Sequence, residues 1–100
     1  MAFQKVASLN DIVQGRSVVV EVSGKEIALF NVSGEIFAIS NACPHQGGPL
    51  GEGEVEDTVV TCPLHGWRFR LDNGEGLTMP HSKVERFDVK IEGNDILIDL

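Results

Sequence analysis

The chain has 100 residues, 42% of them hydrophobic and 23% charged, and carries a formal net charge of −7. That composition fits one small globular domain over residues 1–100 and excludes a disordered chain. The acidic balance argues against nucleic acid as a partner. No apolar run nears the ~18 residues of a membrane helix, and Met1 to Asn10 lacks a signal-peptide core, so a cytoplasmic location with no membrane attachment is expected.

Alternation of apolar and polar residues dominates the sequence, and a period of two predicts strands. Phe3–Ala7 reads as the first strand, and Ser8–Val13 as one helical turn capped by Ser8 or Asn10. Ser17–Val22, Glu26–Val32 and Glu35–Ile39 follow, separated by Ser23-Gly24-Lys25 and Ser33-Gly34. Such spacing predicts three consecutive antiparallel strands with tight turns. Arg86–Ile91 and Asp95–Asp99 flank Glu92-Gly93-Asn94, which predicts a C-terminal hairpin.

The middle of the chain differs. Asn41 to Pro80 is rich in Gly and Pro and holds both cysteines and all three histidines. Thr58–Thr61 and Trp67–Leu71 read as two short strands within it, followed by a turn at Asp72-Asn73-Gly74. The predicted class is therefore all-β: an antiparallel sandwich or barrel with a small inserted subdomain over roughly residues 41–80. The acidic stretch Glu52, Glu54, Glu56 and Asp57 reads as a solvated loop, with a role in orienting a partner as the alternative.

Two arms carry the chemistry: Cys43-Pro44-His45 and Cys62-Pro63-Leu64-His65, with sixteen residues between His45 and Cys62. Each offers one thiolate and one imidazole and is followed by glycine. A structural zinc site accepts two Cys and two His, but its usual pairs are Cys-x₂₋₄-Cys with His-x₃₋₅-His, whereas these pairs are mixed. A Cys43–Cys62 disulfide leaves both histidines unexplained. A Cys/His nucleophile pair lacks an orienting acid within either arm.

The segment from Asn41 to Leu50 (NACPHQGGPL) and that from Cys62 to Phe69 (CPLHGWRF) resemble the Rieske iron–sulfur proteins, and the flanking strands fit that fold. The resemblance implies one Rieske-type [2Fe–2S] cluster, with Cys43 and Cys62 on one iron and His45 and His65 on the other. Replacing two thiolates by neutral imidazoles raises the potential above that of four-cysteine ferredoxins. It also implies a supporting shell of Gln46, Gly47, Gly48, Leu64, Gly66, Trp67 and Pro80, the last on a loop that covers the cluster. His81 has no assigned role.

High-potential members of the family carry an extra cysteine on each arm, joined as a disulfide. They also place a serine and a tyrosine where this chain has Trp67 and Phe69. With two cysteines in all, this chain has none to spare for that disulfide. Fewer donors to cluster sulfur imply a potential at the low end of the range, on the order of −150 to 0 mV, and nearly flat around neutral pH.

Terminal oxygenases of this kind need a further iron on two His and a carboxylate, and only His81 remains for one. The implied function is one-electron transfer by a monomeric soluble ferredoxin, from a flavoprotein reductase to a terminal oxygenase, without catalysis of its own. A small subunit of a nitrite-reductase-like assembly and a zinc-binding interaction module are the alternatives.

Overall fold

The computed structural model describes residues 2–44, 47–64, 66–78 and 82–99. Among them are ten strands: β1 (Phe3–Ser8), β2 (Ser17–Val22), β3 (Lys25–Val32), β4 (Glu35–Ser40), β5 (Glu54–Glu56), β6 (Val59–Thr61), β7 (Arg68–Arg70), β8 (Arg86–Phe87), β9 (Val89–Glu92) and β10 (Asp95–Asp99). They form three antiparallel sheets, ordered β1-β10-β9, β2-β3-β4-β8 and β5-β6-β7.

The β2–β3–β4 meander follows from its turns. Ser23 and Gly24 have φ of 53° and 80°, and Ser33 and Gly34 have 54° and 92°. Two successive left-handed residues match the twist of the strands they join, and glycine takes the second without strain. Register then places Phe30 opposite Phe37 and Val20 opposite Ile27.

The consecutive apolar run in β3 has a structural reason. Ile27, Ala28, Leu29 and Phe30 are all buried, because the middle sheet is covered on both faces. Ile27 and Leu29 enter a core with Ile12, Ile36, Ala38, Ile96 and Ile98. Ala28 and Phe30 enter a second core with Ile39, Leu50, Val60, Phe69, Cys43 and Cys62. Each large side chain so buried contributes about 1.5–3 kcal/mol.

Three expectations need correction. Arg86–Ile91 is not one strand. β8 pairs with β4, β9 pairs with β10, and the chain changes sheets at Asp88, whose carbonyl accepts from the Asp99 N–H at 3.1 Å. Phe87 and Val89 both pack on the Ile96–Ile98 core, so the chain turns the corner around it. The acidic stretch is not simply a loop: Leu50–Glu52 is a 3₁₀ turn, and Glu54–Glu56 pairs with β6, placing Val55 opposite Val60. The helical turn is shorter than expected, a 3₁₀ turn over Leu9–Asp11 with Ser8 at its N-cap, where the Ser8 N–H donates to the Asp11 carboxylate at 3.0 Å.

Candidate metal centre

The first arm is a closed hairpin-like loop. Ala42 bridges to Pro49. The Cys43 N–H donates to the Gly48 carbonyl at 2.9 Å, and the Gly47 N–H donates to the Cys43 carbonyl at 2.7 Å. Its base is held by Asn41, which is buried at the end of β4. The Asn41 N–H donates to the Glu26 carbonyl at 2.9 Å, and its carbonyl accepts from the Leu50 N–H at 2.7 Å. The side chain is used at both ends: Nδ2 donates to Glu26 Oε1 at 3.2 Å, and Oδ1 accepts from the Gly51 N–H at 2.7 Å.

The second arm joins β6 to β7. Cys62 follows Thr61 directly, Trp67 precedes Arg68 directly, and the Cys62 N–H donates to the Trp67 carbonyl at 2.7 Å. Trp67 is half-buried against the core that holds both cysteines. Phe69 is fully buried in that core and offers no donor.

The two arms bring their cysteines together. Cys43 and Cys62 are each 2% exposed, unbridged, and in one core cluster. Burial pushes the Cys62 thiol up from its ordinary range; the Leu64 backbone N–H opposes this, and the neighbouring Cys43 adds to it. Gly48 is buried against the same sulfur: a Cβ there would lie 2.8 Å from Cys62 Sγ and 3.1 Å from the Leu64 side chain. Only glycine leaves the space at the sulfur free.

Pro44, Gly47, Pro63, Leu64 and Gly66 are exposed around this buried pair. His45, Gln46, His65, Pro80 and His81 lie outside the described residues. Asn41 escaped a role in the sequence reading. Its signal is a polar residue placed directly between an apolar strand end and the first arm.

Two soft sulfur donors in a dry pocket suit zinc or iron–sulfur chemistry rather than a hard cation. Among the described residues, no third cysteine or carboxylate joins them. The donor set and the cleared space at Gly48 therefore fit a cluster that takes two thiolates from the protein.

Comparison with known proteins decides between the metals. A family model described as the Rieske [2Fe-2S] domain matches residues 2–91. The chain is 38% identical over 97 residues to the ferredoxin component of the naphthalene 1,2-dioxygenase system of Pseudomonas putida, covering 96% of this chain and 93% of that protein. It is similar to the solved ferredoxin of carbazole 1,9a-dioxygenase from Nocardioides aromaticivorans IC177, with a TM-score of 0.89, 29% identity, and coverage of 98% and 97% of the two chains. A structure assigned to an NADH-dependent nitrite reductase small subunit of Mycobacterium tuberculosis also superposes, with a TM-score of 0.89, 25% identity, and coverage of 97% and 93%. The zinc-module and disulfide readings fall, and the chain belongs to the Rieske [2Fe–2S] family, carrying one Rieske-type cluster.

Proposed function

We propose that the protein is the ferredoxin component of a multicomponent oxygenase system, a soluble cytoplasmic monomer that carries one electron at a time. The carrying observation is the pair of buried cysteines converging from two arms in a chain whose 38%-identical relative is a dioxygenase ferredoxin component. Cys43 and Cys62 would hold one iron, and His45 and His65 the other. When bound, the cluster would supply one-electron redox chemistry. The chain supplies the rest. The Leu64 N–H directed at Cys62 sulfur favours its thiolate, Gly48 keeps the sulfur unobstructed, and the apolar core beneath both cysteines excludes water. The electron arrives from a flavoprotein reductase and leaves to a terminal oxygenase.

Optical and EPR spectra before and after dithionite test this. A brown protein that gains a rhombic signal of low average g on reduction is expected, with a midpoint on the order of −150 to 0 mV. Cys43→Ser or Cys62→Ser should abolish both colour and signal. A colourless protein with stoichiometric zinc, or a Cys→Ser variant with an unchanged spectrum, would sink the assignment. The nitrite-reductase reading stays in view through the M. tuberculosis structure. Affinity capture from the native host separates the two: an oxygenase and a flavoprotein in one case, a nitrite reductase large subunit in the other.

A further inference from the structure

The edge of β7 that faces away from β6 is paired by the segment after it. The Arg70 N–H donates to the Glu75 carbonyl at 2.9 Å, Phe69 bridges to Gly76, and the Leu77 N–H donates to the Arg68 carbonyl at 2.8 Å. In an unbroken antiparallel ladder the Arg68 N–H would return the bond to the Leu77 carbonyl. It goes instead to the Thr78 hydroxyl, at 3.0 Å. A side chain has taken over the last rung, at the point where the chain leaves the sheet.

That rung belongs to a longer connection. The Arg68 N–H and the Trp67 carbonyl are the two ends of one peptide group. The carbonyl end accepts from the Cys62 N–H at 2.7 Å, and the N–H end donates to Thr78 Oγ1 at 3.0 Å. The result is an unbroken series from Cys62 through one peptide to Thr78. Bonds aligned through a peptide dipole polarise one another and fix its plane. The segment leading to Thr78 is anchored two residues upstream: the Gly76 N–H donates to the Ser82 carbonyl at 2.8 Å, and a Cβ at Gly76 would collide with Ser82 Oγ.

We infer that Thr78 is a positioning residue for the cluster, its hydroxyl orienting the Trp67–Arg68 peptide and through it the backbone of Cys62. The inference rests on the assignment of Cys62 as an iron ligand. Arg68 and Thr78 are exposed, so water replaces the lost acceptor in a variant. The consequence therefore falls on the geometry of the second arm rather than on the stability of the fold.

Thr78→Val keeps the branched shape and removes the hydroxyl; Thr78→Ser keeps the hydroxyl. The readouts are hydrogen exchange of residues 66–71 by mass spectrometry, the rate of iron release to EDTA, and the midpoint potential. Thr78→Val should exchange about tenfold faster over residues 66–71, a local opening that spares the core strands. It should also release iron several-fold faster and show a displaced potential, and Thr78→Ser should match the parent in all three. Unchanged exchange and iron release in Thr78→Val would overturn the inference, as would a Thr78→Ser variant equally impaired. So would an equal rise in exchange over residues 27–32, which would make the hydroxyl merely a structural support. Loss of the ligand assignment reads differently: Cys62→Ser would keep the parental spectrum while Thr78→Val still exposed the 66–71 amides.

Discussion

Gly48 is the residue on which the cysteine pocket turns. Its missing side chain is what lets Cys62 sulfur and Leu64 approach, since a Cβ would stand 2.8 Å from the sulfur. Gly48→Ala should cost about 1–3 kcal/mol as overpacking and lower the iron bound per protein, read by elemental analysis. Gly47→Ala is the control. It has open space around the Cβ but φ of +71°, so it should lose about 1–2 kcal/mol to backbone strain with its iron retained. Equal iron in Gly48→Ala and the parent would show that the pocket yields at the sulfur.

A second residue-scale effect lies on the turn after β7. Arg70 donates to Asp72 through two bonds of 3.1 and 2.7 Å and holds its carboxyl below the ordinary value of 3.8. A depressed carboxyl contributes stability above its unfolded pKa and loses it as pH falls through the folded one. Asp72→Asn should therefore melt slightly lower than the parent at pH 7. The gap should close as the pH drops below about 4, where the unfolded carboxyl titrates. The pair is exposed, so the effect is small. A gap that persists at pH 2 would mean that Asp72 acts through packing or its turn, not through its charge.

At the scale of elements, the first arm depends on a clamp at its base more than on anything within it. Asn41 ties β3, β4 and the 3₁₀ turn together, with its side chain bonded to Glu26 and to the Gly51 N–H. Asn41→Ala leaves that N–H without its partner and should cost about 1–3 kcal/mol, with faster exchange over residues 42–51. If thermal melting and exchange match the parent, water replaces the clamp fully.

The same clamp shows where sequence was and was not legible. The β2–β4 meander and the final hairpin strand were readable because turn residues and a period of two report local geometry. The cysteine pair was readable because the two arms repeat a ligand pattern. β5 was hidden, because Glu-Val-Glu reads as charge and only the Val55–Val60 pairing makes it a strand. The break at Asp88 was hidden as well, since a strand that changes sheets keeps its alternation. Asn41 and Thr78 act through partners distant in the chain, and no local pattern announces such bonds.

For the whole molecule, two cores on either face of one sheet mean that a metal held by Cys43 and Cys62, as proposed, would support only half of the structure. Cys43 and Cys62 both belong to the core with Phe30, Leu50, Val60 and Phe69. The opposite core, with Ile12, Ile27, Leu29, Ile96 and Ile98, contains no cysteine and draws on β1, β9 and β10. On the proposed ligation by Cys43 and Cys62, removing the cluster would deprive the short strands β5–β7 of a cross-link between the two arms, and strands of three residues have little pairing of their own. The other sheets keep the full β2–β3–β4 meander and the β1–β10–β9 pairing. Stripping iron with chelator under reducing conditions should therefore raise hydrogen exchange throughout residues 42–71 while residues 27–32 and 95–99 stay protected, an opening confined to one cooperative unit. Loss of protection at all positions together would show that the middle sheet couples the two cores and that the domain folds only with its metal.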